Sequence, residues 1–425
     1  MRKPSGIGNI TERKVNTMHL KEKITQAIAI LKEFNIDCWI TFTRESAING
    51  DPTLPFLVPT DLTWHSAIII TKENGVKAIV GFYDKKMVED VGAYNEVIGY
   101  VEGIKKPLVE YLTKLNPAMI AINYSKESEI ADGLTHGMYL TLVEYLSEIG
   151  YQDRLISAES IISALRQRKT KSELTSIQEA IRHTEKIFKK VTKFIKPGMT
   201  EETIAQFMRD EVKRRGLQFA WDQKVCPAVF SGPDTAGAHY QPTKRRVKPG
   251  HVLNMDFGVK VNEYCSDLQR TFYILKPGEK KAPPEVQKGF DTIVLSIERS
   301  RSMMKPGAKG IEVDAAAREV LKENGFQEFP HALGHQVGRY AHDGSAILGP
   351  AWEKYGTKPL QSLEEGMVFT LEPRLTVADR GVATIENMVV VTSQGTEYLS
   401  TPQKKLILIK SEGTTRRIRN VRQKK

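Results

Sequence analysis

The chain has 425 residues, 40% of them hydrophobic and 27% charged, with a formal net charge of +11. That length predicts about two or three domains with sizeable cores, and no uninterrupted apolar run approaches the roughly eighteen residues of a membrane span. Three widely separated cysteines, Cys38, Cys226 and Cys265, exclude a disulfide framework and a CxxC zinc site; with no apolar leader in MRKPSGIGNITERK, they point to the cytoplasm.

An α/β unit comes first. Apolar residues at Ile24, Ala27, Ile28, Leu31 and Phe34 mark one face of a helix over Leu20–Phe34, and strand-like runs follow at Cys38–Thr43, Ala67–Thr71 and Lys77–Phe82. A helix over Pro107–Leu115, a short strand over Met119–Asn123 and a helix over Met138–Ile149 continue the alternation. His19, His65 and His136 read as ordinary structural or surface histidines, because nothing around them has catalytic spacing. A boundary falls near Ser163–Ser172, SALRQRKTKS, where apolar periodicity gives way to charge. The next helix, Glu173–Phe194, stops at Lys196-Pro197-Gly198, since proline cannot donate and glycine takes the left-handed turn.

An internal repeat begins there. KPGMTEETIAQFMRDEVKRRG, Lys196–Gly216, parallels KPGAKGIEVDAAAREVLKENG, Lys305–Gly325, and GHVLNMD, Gly250–Asp256, parallels GMVFTLE, Gly366–Glu372. Each half thus offers a carboxylate at the same point of the same strand, Asp256 and Glu372, and another further on, Asp267 and Glu386. Asn254–Ile274 reads as a hairpin turning at Val261-Asn262-Glu263, with Asp256 and Asp267 on its two strands, while Glu386 lies in the β-branched run ATIENMVVV. Desolvating such ions unpaired would cost on the order of several kcal/mol each, so divalent cations shared between the halves are the economical partners.

The histidines come in FPHALGHQVGRYAHDG, Phe329–Gly344. His331 and His335 have the spacing of the zinc helix HExxH, but Ala332 replaces the glutamate, and Pro330, Gly334 and Gly338 oppose a helix. An extended or turned segment would present His331, His335 and His342 at different depths, one to a metal and the others to protons or substrate. Beyond the apolar strand Leu406–Ile409, the end of the chain carries Arg416, Arg417, Arg419, Arg422, Lys424 and Lys425 against Glu412. With no aromatic residues for stacking, this basic tail is expected to be solvated and not to bind nucleic acid.

With MDFG, YCSDLQRT, HALGHQVG, LEP and TIEN in this order, the chain resembles the pita-bread metallopeptidases, a family of Xaa-Pro aminopeptidases, prolidases and methionine aminopeptidases, over about Ile161 to Ser400. Its first part resembles the creatinase-type amino-terminal domain, which argues against a methionine aminopeptidase. The resemblance implies an α/β amino-terminal domain over 15–165, a duplicated, pseudo-twofold α+β pita-bread catalytic domain over 166–410, and the basic tail over 411–425. It further implies that Asp256, Asp267, His335, Glu372 and Glu386 bind two divalent ions, with manganese expected ahead of cobalt, iron or zinc. In that scheme Asp267 and Glu386 bridge, and a metal-bridged hydroxide attacks the peptide while Glu372 moves the proton. His331 and His239 donate hydrogen bonds to the oxyanion, and His342 faces substrate.

The implied activity is exopeptidase cleavage of Xaa-Pro bonds in a peptide substrate, by a homodimer. The alternatives are a non-peptide C–N hydrolase or lyase on the same fold, and a catalytically silent peptide-binding member. Three positions depart from the prolidase and Xaa-Pro aminopeptidase pattern: Arg374 stands where glycine follows Glu-Pro, Thr384 where an arginine precedes the last glutamate, and Asp343 where glutamate follows the third histidine. Arg374 is expected to take over the carboxylate contact of the missing arginine.

Overall fold

The structure is a computed structural model that describes residues 8–233 and 241–411, with side chains from residue 17 onward. His239 and all but the first residue of the basic tail lie outside the described residues. Among those described, no helix is long and apolar enough to cross a membrane.

The first unit is a six-stranded mixed sheet in the spatial order Glu96–Tyr100, Val76–Gly81, Ser66–Thr71, Cys38–Thr43, Ile120–Ile122, Leu155–Ser157. Its central strands Cys38–Thr43 and Ser66–Thr71 are buried at every position because both faces are covered. Trp39, Ile68, Ile70 and Val80 pack beneath the helix Gly8–Glu33, whereas Ile40, Phe42, Ile69 and Ile79 face the helices Lys105–Leu115 and His136–Ser147. Alternation along each strand assigns residues to the two cores.

The remainder is built twice. Helices Lys171–Phe194 and Glu201–Arg214 open the first half, and Pro284–Met303 and Gly310–Glu323 open the second. The repeat extends to backbone hydrogen bonds: Gly198 N donates to Val247 O at 2.8 Å and Gly307 N to Leu363 O at 2.9 Å, while Gly250 N and Gly366 N bind Ile274 O and Val391 O. All four glycines have positive φ, between 86° and 89°, which side-chain-bearing residues rarely adopt. The hairpin turns at Asn262 and Glu263, also at positive φ.

Each half has its own core, and strand alternation directs the remaining side chains to the seam between them. Leu253, Met255 and Phe257 enter the first core, which turns Asn254 and Asp256 the other way; Phe369, Leu371, Val389 and Val391 enter the second, which turns Thr370 and the chain toward Glu372 back to the first half. Across the seam, Thr384 N donates to Thr271 Oγ1 at 3.1 Å and Glu386 N to Gln269 O at 3.2 Å.

Candidate metal centre

Asp256 lies on the strand Val252–Phe257. The hairpin and the β-branched run are expected to be continuous strands, but Asp267 falls in the two-residue break before Leu268–Ile274, and Glu386 in the corresponding break before Asn387–Thr392. Glu372 follows Val368–Leu371, where Pro373, lacking an N–H, cannot extend the ladder. These breaks free three carboxylates from regular strand alternation, so all four turn toward one point in the seam.

The histidine segment is extended, as its glycines and proline require. It lies antiparallel to Val368–Leu371, with Thr370 N donating to His335 O at 2.9 Å and Glu372 N to Leu333 O at 2.8 Å, which sets His335 beside Glu372. His335 Nε2 is 3.5 Å from Glu372 Oε1, 3.8 Å from Asp267 Oδ2 and 3.9 Å from Glu386 Oε1. Donor atoms of Asp267, His335 and Glu386 all lie within 4.8 Å of one another, and Asp256, on the strand paired with Leu268–Ile274, is near enough for its charge to act on Asp267. The five residues named from the sequence are therefore neighbours.

Burial pushes the four carboxyls up, Asp256 to about 7, and their mutual repulsion adds to the rise at Asp267, Glu372 and Glu386. Among the described residues no lysine or arginine side chain forms an ion pair with any of them. Asp256 Oδ1, Asp267 Oδ1 and Glu386 Oε2 are buried without a hydrogen-bond partner. Orphaned carboxylate oxygens facing one another beside an imidazole fit a divalent cation. The tautomer of His335 fits too: its Nδ1 lies 3.3 Å from the Gln336 carbonyl, which can only accept, so Nδ1 carries the proton and the Nε2 lone pair points at the carboxylates.

Of the cluster, His335 and Glu372 line a cleft of about 390 Å³, whose walls also include His331, His342, Arg374 and Thr384. His342 is exposed, with its ring centroid 4.0 Å from that of His335. Arg374 and Thr384 are directly opposed on the strands Arg374–Val377 and Gly381–Thr384, so the two departures from the family pattern share one cross-strand pair. His331 donates from Nδ1 to the Ala332 carbonyl at 2.8 Å, and burial pushes it down to about 4.

Sequence reasoning missed three supports. Gln269 Nε2 donates to Glu372 Oε2 at 3.2 Å; it lies two residues past Asp267 in a period-two strand, which was the available signal. Asp314 and Arg318 form a buried pair four residues apart on one helix face, and they hold the histidine segment through Leu333 N at 3.0 Å and the His331 carbonyl at 2.6 Å.

The model of metallopeptidase family M24 matches residues 175–393, more than half of the chain, and this span includes all five candidate metal donors. This chain belongs to metallopeptidase family M24. A Mycoplasma pneumoniae relative, named provisionally an Xaa-Pro aminopeptidase, is 32% identical over 271 residues, covering 63% of this chain and 71% of its own. Among solved structures, an X-Pro aminopeptidase from Thermotoga maritima is similar with a TM-score of 0.68 at 24% identity, covering 88% of this chain and 98% of that one. The prolidase from Pyrococcus horikoshii is similar with a TM-score of 0.65 at 22% identity, covering 91% and 100%. The M24 chain thus combines an α/β amino-terminal unit with a pita-bread catalytic unit, as expected from its motifs.

Proposed function

We propose that this M24 metallopeptidase hydrolyses Xaa-Pro bonds as an exopeptidase, with two divalent ions held by Asp256, Asp267, His335, Glu372 and Glu386. The observation that supports this reading is the grouping of Asp267, His335 and Glu386 donors within 4.8 Å, with orphaned oxygens on Asp256, Asp267 and Glu386, beside a cleft that His335 and Glu372 line. Oxygen-rich ligation with one imidazole suits manganese, cobalt or iron at least as well as zinc, and manganese is the proposed native ion. When bound, the ions supply Lewis acidity that activates water and polarises the scissile carbonyl.

The chain's own residues do the rest. Glu372, held by Gln269, accepts the proton of the attacking water and returns it to the leaving nitrogen. Because neutral His331 already donates from Nδ1, its Nε2 is an acceptor; it suits a substrate N–H, and the oxyanion role expected for it passes to other donors such as His239. His342 faces the substrate from the cleft wall. Half-buried Arg374 lines the same cleft and has no ion-pair partner among the described residues, so it is placed to receive a substrate carboxylate in place of the arginine replaced by Thr384. A homodimer belongs to the same proposal and is supported by the resemblance of the amino-terminal domain, while a cytoplasmic setting is supported by three free, buried cysteines.

The deciding experiment pairs metal analysis with a peptide panel. Wild type should carry about two ions per chain and cleave Xaa-Pro substrates, and Asp267→Asn should lose both metal and turnover. A folded wild type that takes up no metal would sink the hydrolase reading. Within it, Arg374→Ala should raise KM for dipeptides more than for amidated ones; equal effects would remove Arg374 from carboxylate recognition.

A further inference from the structure

The stretch SALRQRKTKS has the composition of a solvated joint between domains, yet Arg166 is 1% exposed, Gln167 5% and Lys169 7%. The side chains of Arg166 and Gln167 end on the loop that carries the histidines. We propose that Arg166 and Gln167 are positioning residues for the metal centre, setting His335 and His342 through Gln336 and Asp343; this rests on the hydrolase reading above.

Gln167 makes the first link. Its Oε1 accepts from Gln336 Nε2 at 2.7 Å and from Ala346 N at 3.2 Å, and its Nε2 donates to Ser345 Oγ at 2.9 Å. The residue so held, Gln336, uses its carbonyl to accept both His335 Nδ1–H at 3.3 Å and Asp343 N–H at 2.9 Å. The glutamine pair therefore sets the carbonyl that orients His335.

Arg166 makes the second link. Its Nε and one terminal nitrogen reach Asp343 Oδ1 at 2.9 and 2.6 Å, while the other terminal nitrogen donates to the Pro52 carbonyl of the first unit at 2.7 Å. Asp343 Oδ2 accepts from Arg339 N at 2.6 Å and so closes the loop around His342, the residue just before it. Glycine at 338 and 344 leaves room, because a Cβ at either would strike the side chain of Asp343 or Gln336. An apolar contact could anchor the loop without the desolvation cost of this buried pair. What the polar network adds is direction: it fixes where a carbonyl oxygen and a backbone turn sit relative to the two rings.

The test uses the full chain and Co2+, whose visible absorption reports the geometry and ligand field of its coordination shell, and so responds when the His335 ring is misdirected. Gln167→Met removes the three hydrogen bonds at nearly constant volume and without stranding a charge. It should keep the near-ultraviolet circular dichroism of wild type, lose about 10–100-fold in Co2+ affinity and shift the visible band, with kcat falling more than KM. Unchanged affinity and an unchanged band in folded Gln167→Met would overturn the proposal. Should that variant fail to fold, Ser345→Ala, which removes one bond of the same glutamine, decides by the same two readouts. A wild type that binds no Co2+ would instead count against the hydrolase reading.

Discussion

His331 shows how burial selects a protonation state. Its pKa falls from 6.5 to about 4, chiefly because the ring is desolvated, with Arg374, Arg318 and Lys354 adding repulsion against the charge. The unfolded chain therefore binds the proton first as pH falls. Between about pH 6.5 and about 4 this residue's contribution to stability is progressively lost, and it is complete above that window. The stability of wild type relative to His331→Gln should accordingly shrink by about 3 kcal/mol between neutral pH and pH 4, as read by urea denaturation. A pH-independent difference would show that the ring is more hydrated than its surroundings imply. The histidine motif made His331 visible in the sequence, but its tautomer depends on where the Ala332 carbonyl points, which spacing does not encode.

At the level of elements, the centre depends on backbones that approach closely. The extended segment around His335 lies against Val368–Leu371, and a Cβ on Gly334 would fall on the Thr370 carbonyl oxygen. Gly334→Ala must push the two backbones apart. It should cost about 1–3 kcal/mol by chemical denaturation and weaken metal uptake, because His335 is the next residue. A stable variant with full metal content would show that the ladder can shift without disturbing the centre. Gly334 is legible in the sequence only as an argument against a helix. The other strand that makes glycine necessary lies more than thirty residues away, and only pairing register identifies it.

For the whole molecule, the first unit is attached to the catalytic unit by buried charge. Lys23 of the first helix pairs with Glu173 at 2.7 Å, both side chains at most 1% exposed, and Tyr264 donates to the same carboxylate at 2.8 Å. Lys23→Met would strand a buried anion and should cost about 3–5 kcal/mol in a denaturant titration. Arg168 with Glu33, a more exposed pair across the same junction, should cost under about 1 kcal/mol when Glu33 is replaced by alanine. Equal losses would mean that water reaches both pairs alike. Periodicity, punctuation by Lys-Pro-Gly and the duplicated carboxylates are local properties of the chain, so the sequence by itself determined the α/β start, the repeat and its four carboxylates, whereas the choice of His335 among three histidines came with the family resemblance. Only the tertiary structure decided that Asp267 and Glu386 sit in strand breaks, that Arg374 opposes Thr384, and that the charged stretch after Ser163 is buried against the histidine loop. The physical reason is that a charge reads as solvated until its partner is known, and these partners are supplied by residues far away along the chain.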